Sequence, residues 1–129
     1  MRGLNRITLI GHVGRDPELR TSRDGTTPWA NFSLATGRSR KEGDQWVEST
    51  DWHRVKVYGT QAELCQRYVH KGDLICVEGS VVYDTWTAED GTRRKTTQIM
   101  ANRVTFLSKA ESSQARGEAH GAQPVAEAK

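Results

Sequence analysis

Residues 50–59 are the stretch of this 129-residue sequence whose side chains are best suited to binding chemistry. Successive side chains of an extended strand point to opposite faces. One face then carries Val55 and Val57, an ordinary core pair, next to His53, and the other carries Trp52, Arg54, Lys56 and Tyr58. Flat rings alternating with cations suit a polyanion whose bases can be unstacked onto the rings, as in a single-stranded nucleic acid. The stretch therefore predicts a strand with one core face and one nucleic-acid face.

Two basic runs lie outside this strand, one shortly before it and one well after it in the sequence. Taken alone, each is equally consistent with a solvated hairpin tip. Beside an aromatic face, they are predicted to contact phosphate. The residues concerned are Arg38, Arg40, Lys41, Arg93, Arg94 and Lys95.

Three further tryptophans have different predicted roles. Trp86 lies in a polar hairpin segment, residues 84–90, without core periodicity, which predicts an exposed ring for base stacking. Trp46 is compatible with stacking and with packing at a strand edge, and both interpretations remain open. For Trp29, contact with the core or with another subunit is favoured over contact with DNA.

Composition limits the class of protein. Hydrophobic residues make up 35% and charged residues 27% of the chain, which predicts one domain with a modest core. No apolar run approaches the roughly 18 residues of a membrane helix, so no membrane association is expected. Residues 1–4 lead almost directly into a strand pattern, which leaves no room for a signal peptide. A cytoplasmic, nucleoid-associated protein is expected.

Residues that could support catalysis or bind a metal are scattered. The four histidines, His12, His53, His70 and His120, have no metal-ligand spacing, and no glycine-rich phosphate loop is present. Asp51 and His53 would share a strand side that faces away from Trp52. Cys65 and Cys76 are expected to be buried thiols rather than a disulfide. The sequence therefore predicts a protein that is not an enzyme and has no cofactor or metal.

The hydrophobic pattern predicts an all-β fold with one helix. Strands are predicted at residues 5–13, 29–36, 46–58, 73–82 and 93–107, the last with a bulge between Ile99 and Val104. Residues 22–28 and 37–44 are predicted loops. A capping box at Thr60 and Glu63 predicts the start of a helix, which is expected to end at Lys71–Gly72. Short strands with regular turns also permit other small barrels. A single helix between the third and fourth of five strands favours the OB-fold, a partly open Greek-key barrel.

At the level of motifs, the chain resembles the bacterial-type single-stranded DNA-binding proteins. The similar segments span about residues 2–107 in a consistent order. They are Leu4-Asn5 through Ile10-Gly11, Gly14-Arg15-Asp16-Pro17-Glu18, Ala30-Asn31-Phe32-Ser33-Leu34-Ala35-Thr36, Trp52-His53-Arg54-Val55, Tyr68 through Lys71-Gly72, Val77-Glu78-Gly79 and Trp86-Thr87. The resemblance implies an OB-fold domain at residues 1–109. Residues 110–129 have no periodicity and are rich in Ala, Glu, Ser, Gln and Gly, which predicts a disordered tail. The resemblance also implies binding of single-stranded DNA with little sequence preference, in replication, recombination and repair, by a homotetramer without catalysis.

The same resemblance implies roles for individual residues. The stacking rings of the family fall on Trp52, Tyr58 and Trp86, and its basic contacts fall on Arg2, Arg54 and Lys71. It implies that subunits join through the first strand, which carries Ile7 and Leu9, and His53 matches a position at the subunit interface.

Two departures from the family pattern bear on function. The family has another aromatic near Arg38–Arg40, where this sequence has none, and Trp46 is the nearest replacement. Family members commonly end in an acidic, hydrophobic tip that recruits protein partners. This sequence ends in residues 124–129 without an acidic cluster, so the resemblance gives no support for recruitment through the tail. An OB-fold interaction module of a primosome-like assembly, with weak DNA binding, remains the alternative function.

Overall fold

The computed structural model describes residues 2–110, within which the chain forms six strands and one helix. In chain order these are β1 (Ile7–Val13), β2 (Glu18–Thr21), β3 (Pro28–Glu42), β4 (Gln45–Tyr58), α1 (Thr60–Tyr68), β5 (Leu74–Thr87) and β6 (Arg93–Ser108). The predicted tail at residues 110–129 lies outside the described residues, apart from Ala110.

All six strands belong to one sheet in the order β1-β5-β6-β4-β3-β2. A second pairing joins β1 to β3, His12 to Ala35 and Val13 to Leu34, so every strand except β2 belongs to a closed cycle of neighbours. The β4–β6 pairing is parallel and the others are antiparallel. With α1 between β4 and β5, this arrangement confirms the predicted OB-fold.

The core forms from the inward side chains of alternating strand positions. On β4, Val55 and Val57 are fully buried, as predicted. Their pairing partners on β3, Phe32 and Ala30, are also buried. The helix adds Ala62 and Cys65, and burial raises the pKa of the Cys65 thiol to about 11. Both cysteines are free, and Cys76 is only partly buried.

Backbones approach each other closely at two glycines. A β-carbon on Gly11 would lie 2.1 Å from the carbonyl oxygen of Ala35, where β1 leaves β5 and meets β3. A β-carbon on Gly79 would lie 2.0 Å from the carbonyl oxygen of Met100. Beside Gly79 the β5–β6 register shifts and Asn102 has no partner on β5, which confirms the predicted bulge between Ile99 and Val104.

The predicted loops differ most from the structure. Residues 37–44 are not a loop, because β3 and β4 continue as a paired hairpin up to Glu42 and Gln45. Both faces of this arm are exposed, so its sequence carries no apolar alternation. β2 was missed for the same reason, since all four of its residues are exposed. β5 also extends to Thr87, which places Trp86 on a strand rather than in a loop.

The helix is shorter than predicted at its end, and its cap is different. Gly59 occupies the N-cap with φ 70°, and no side chain among residues 2–110 caps the helix, so the predicted capping box of Thr60 and Glu63 is wrong. Glycine accepts this backbone conformation at little cost, and it allows a sharp turn directly after β4. The helix ends at Tyr68 because Val69 adopts extended backbone and is buried in the core. Gly72 has the expected positive φ, but in the turn that follows.

No helix within residues 2–110 is both long enough and apolar enough to cross a membrane. The same residues contain no group of three or more His, Cys, Asp and Glu side chains that could hold a metal ion.

Candidate nucleic-acid interface

The outer face of β4 carries the predicted aromatic and basic residues. Trp52 and Tyr58 are 61% and 41% exposed, and Arg54 is exposed between them. Trp52 lies opposite Ala35 on β3, and Arg54 lies opposite Ser33. The partners on β3 are small, so the two long side chains of β4 rise above them and remain accessible to a ligand.

An open groove of about 810 Å³ runs along this face. Its cations are Arg54 and Arg15, and neither forms an ion pair with any residue between 2 and 110. Both guanidinium groups are therefore available to an anionic ligand. The complete lining is Arg15, Asn31, Phe32, Ser33, Trp52, His53, Arg54, Val55, Thr96 and Gln98.

Gly14 makes room for the Trp52 ring. A β-carbon on Gly14 would lie 2.5 Å from Cζ3 of Trp52 and 2.4 Å from Oγ of Ser33. The Gly14 amide donates a hydrogen bond to the Ser33 carbonyl oxygen (2.8 Å). The end of β1 thus supports one edge of the indole, while the rest of the ring faces solvent.

Trp86, on β5, lies beside this groove and contacts one of its lining residues. Its Nε1 donates a hydrogen bond to Oγ1 of Thr96 (3.3 Å), and Thr96 lines the groove together with Trp52. The parallel pairing of β6 with β4 brings Thr96 and Gln98 to this position. The Trp86 side chain is 50% exposed, so a second exposed indole lies next to the groove that Trp52 lines.

The β3–β4 hairpin has two different faces. By register, Lys41 lies opposite Trp46, and both lie on the same face of the sheet as Trp52. Trp46 is 66% exposed, so packing at a strand edge covers little of its ring. Arg38 and Arg40 lie on the opposite face of the hairpin.

Both of these arginines already have carboxylate partners. Arg38 forms a bidentate pair with Asp51, from Nε to Oδ2 at 2.8 Å and from Nη2 to Oδ1 at 3.0 Å. Nη2 of Arg40 donates to Oε2 of Glu42 at 2.8 Å. Of the three cations predicted here, only Lys41 shares the aromatic face, and it has no ion pair within residues 2–110.

Because Lys41 shares the aromatic face and Arg38 does not, removing the charge of each is expected to affect DNA binding differently. Lys41→Gln is expected to reduce the slope of log K against log salt concentration by about 0.7, the value for one phosphate contact on a single strand. Arg38→Gln is expected to leave the slope nearly unchanged, because Arg38 lies on the face of the hairpin opposite to that of Trp52 and is held there by a bidentate pair with Asp51. Titrations with oligo-dT at several salt concentrations measure both slopes. Equal slopes for the two variants would contradict the assignment.

The residues of the second basic run, at the start of β6, also alternate between two faces of a hairpin. Arg94 lies opposite Trp86, and its Nη2 is 3.7 Å from Asp90 Oδ2. Arg93 and Lys95 alternate to the other face of the β5–β6 hairpin, where the Lys95 ammonium lies 4.9 Å from the centroid of the Tyr83 ring.

Neither Arg2 nor Lys71 lines the groove. Arg2 is exposed in the segment that precedes β1. The Lys71 amide donates to Asp16 Oδ1 at 2.7 Å, and the next amide, of Gly72, donates to the Val13 carbonyl oxygen at 2.7 Å. The exposed Lys71 side chain therefore starts from a turn fixed against the end of β1.

The residues predicted at the subunit interface lie in two places. His53 is half-buried, and its Nε2 lies 2.9 Å from Oγ1 of Thr36, within hydrogen-bonding distance. Ile7 and Leu9 pack against the core of their own chain, and the apolar residue that points outward from β1 is Ile10. Asp51 is paired with Arg38, so Asp51 and His53 do not form a pair with each other.

Sequence reasoning missed two residues of this face, Trp29 and Arg15. The core position expected for Trp29 is wrong, because Trp29 lies half-buried opposite Tyr58, on the same face as Trp52. A contact with another subunit stays a prediction. The position of Trp29 in the sequence indicated this face. Phe32 and Leu34 of the core have even numbers and Trp29 has an odd number, so along a strand its side chain points to the other side. Arg15 follows β1 in an irregular turn, where no sequence period indicates a direction.

The fold and this groove define an OB-fold protein with exposed rings and cations on one open face. The chain belongs to the Single-strand binding protein family, whose model matches residues 4–107. The family resemblance predicted from the sequence is thereby confirmed.

Individual relatives agree with this membership. The chain is 40% identical over 124 residues to "Single-stranded DNA-binding protein 1" of Xylella fastidiosa strain 9a5c, and the match covers 94% of this chain and 90% of that protein. It is 39% identical over 107 residues to a single-stranded DNA-binding protein of Xylella fastidiosa strain Temecula1, covering 82% of this chain but only 65% of that one.

One solved structure, the Plasmodium falciparum SSB in complex with single-stranded DNA, has the same fold. It superimposes with a TM-score of 0.77 at 30% sequence identity, covering 84% of this chain and 98% of that one.

Proposed function

We propose that this protein binds and protects single-stranded DNA with little sequence preference. The observation that carries the proposal is the convergence of Trp52, Arg54 and, through Thr96, Trp86 on one open groove. The names of its relatives and the bound DNA of the Plasmodium structure support the choice of ligand. Replication, recombination and repair are the processes in which such binding is proposed to act, in the cytoplasm and at the nucleoid.

The chemistry of binding follows from the types of residue. The guanidinium groups of Arg15 and Arg54, which have no ion pair among residues 2–110, attract phosphates. The release of counterions from the DNA favours association. Each exposed ring offers a base a stacking partner at about 1–3 kcal/mol per base. Every base has a flat face, so stacking tolerates any sequence. The role proposed for the groove is therefore binding without catalysis.

A competition experiment tests this function. A labelled oligo-dT bound at low salt should be displaced by unlabelled single strands of any sequence, and poorly displaced by a duplex of equal length, whose bases are unavailable for stacking. Equal displacement by the duplex would contradict stacking in the groove. Failure of the labelled strand to bind at all would instead favour an interaction module with weak DNA binding.

We also propose a homotetramer. From Ile7 to Gly11, one edge of β1 pairs with β5, while β3 reaches the other edge only at His12 and Val13. A free strand edge is a ready site for pairing with a second chain, and the exposed Ile10 side chain lies on this strand.

The assembly is expected to appear in solution as a single species of four chains. Light scattering at micromolar concentration measures its mass, and a monomer would contradict the proposal. His53→Tyr is expected to weaken the tetramer if His53 lies at the interface, because the larger ring would also displace the Thr36 hydroxyl. An unchanged mass for this variant would place the interface elsewhere.

A further inference from the structure

The aromatic and basic face continues beyond the groove to the edge strand β2. Arg20 of β2 lies opposite Trp29 of β3, and Trp29 lies opposite Tyr58 of β4, in one row across three strands. Directly opposed residues of antiparallel strands point to the same side. The row therefore faces the same way as Trp52 and Arg54. We call Arg20, Trp29, Lys56 and Tyr58 the β2 extension.

Cations in the β2 extension lie close to its rings. The Lys56 ammonium is 4.4 Å from the centroid of the Trp29 ring and 5.6 Å from that of Tyr58. The Arg20 guanidinium carbon is 6.0 Å from the Trp29 centroid. These distances fall within the range of cation–π attraction, about 6 Å. Trp29 thus has two cations within range of cation–π attraction.

The cations of the β2 extension have no strong carboxylate partner among residues 2–110. Within residues 2–110, Lys56 has no carboxylate partner. Arg20 is paired with Glu18 at 3.1 Å, and both side chains are 57% exposed. An exposed pair of this kind contributes little free energy, so a phosphate can replace Glu18 as the partner of Arg20.

The extension is continuous with the groove. Lys56 lies opposite Asn31, which lines the groove, and Arg54, two positions earlier on β4, lines it as well. A single strand of DNA that lies over Trp52 and Arg54 and follows β4 towards its C-terminal end would next meet Lys56 and Tyr58.

We propose that the β2 extension is a further binding site for nucleotides of the strand that occupies the groove, an inference that rests on the proposed function. Lys56 and Arg20 contact phosphate there. Trp29 fixes both cations and, with Tyr58, supplies ring surface for a base. Cations that are already held in place lose less side-chain freedom on binding, which favours affinity. Longer strands therefore bind more tightly than short ones by contacts that depend on Trp29 and Arg20.

The test measures affinity as a function of oligo-dT length, from about 4 to 16 nucleotides, the range of OB-fold site sizes. Trp29→Leu keeps an apolar side chain, and Arg20→Gln removes one charge. The matched control is Arg67→Gln, because Arg67 also lies over a ring, 5.9 Å from the centroid of Tyr68, but on α1 and outside the groove.

For the longest strands, Trp29→Leu is expected to lose about fivefold or more in affinity, the lower limit for losing one stacked base. Arg20→Gln is expected to reduce the salt slope by about 0.7, one phosphate contact, while Arg67→Gln leaves it unchanged. For the shortest strands, both β2-extension variants should equal the wild-type protein. Glu18→Gln should tighten binding of long strands only, since it frees Arg20.

The outcomes separate this inference from the proposed function. Variants that match the wild-type protein at every length overturn the extension and leave the groove intact. Equal loss at every length also overturns it, because the residues would then belong to the groove itself. Circular dichroism spectra guard against misfolding of Trp29→Leu, and Arg20→Gln, an exposed substitution, decides the matter if that variant is unfolded. No binding by the wild-type protein refutes the proposed function.

Discussion

Trp52→Ala is expected to weaken binding of single-stranded DNA by about 1–3 kcal/mol, the contribution of one ring that stacks on a base. The ring is 61% exposed and forms a wall of the groove together with Arg54. Little burial is lost on substitution, so the fold should be unaffected. Isothermal titration with oligo-dT measures the change in affinity, and thermal unfolding measures any change in stability.

Trp52→Phe is the matched control for this change. It keeps a flat ring on the same backbone, so it should recover most of the affinity if stacking is the source of binding. Unchanged affinity in Trp52→Ala would show that the ring only packs against Gly14.

Gly79→Ala is expected to destabilise the fold by about 1–3 kcal/mol or more, as overpacking of a close contact does. The added β-carbon would lie 2.0 Å from the Met100 carbonyl oxygen and 2.9 Å from Cα of Ala101. These are backbone atoms of the neighbouring strand, so relief requires β5 and β6 to move apart beside the bulge. Urea unfolding monitored by circular dichroism gives the free energy of unfolding.

Gly37→Ala is the control for the glycine substitution. Among the described residues, no heavy atom other than those of its chain neighbours would lie within 4 Å of a β-carbon at Gly37, and Gly37 is not among the glycines with positive φ. Its free energy of unfolding should stay within about 0.5 kcal/mol of the wild-type value, as for most surface substitutions. If Gly79→Ala were as stable as Gly37→Ala, the close approach of β5 and β6 would not limit the fold.

The core and the order of elements were predictable because a strand with one buried face shows apolar and polar residues in alternation along its sequence. Val55 and Val57 alternate with Arg54 and Lys56, so the pattern of β4 indicates both its conformation and its core side. The hairpin arm of β3 and β4 has no buried side, and its sequence resembles a polar loop. Where both faces of a strand are exposed, its sequence shows no alternation of apolar and polar residues, so the strand cannot be distinguished from a polar loop.

The functional groups of the site were predictable as residue types, whereas their pairing was not. Arg38 and Asp51 are 13 positions apart and meet only through the β3–β4 register. That contact separates Arg38 from Lys41, although the two belong to one basic run in the sequence. Trp29 required the same information, because its neighbours Arg20, Lys56 and Tyr58 come from two other strands.

The most direct test of the central claim is the intrinsic tryptophan emission of the wild-type protein during titration with oligo-dT at low salt. Bases that stack on Trp52 and Trp86 should quench the emission strongly, and the quenching should saturate as the groove fills. A titration with no change in emission and no shift in electrophoretic mobility would contradict binding of single-stranded DNA on this face.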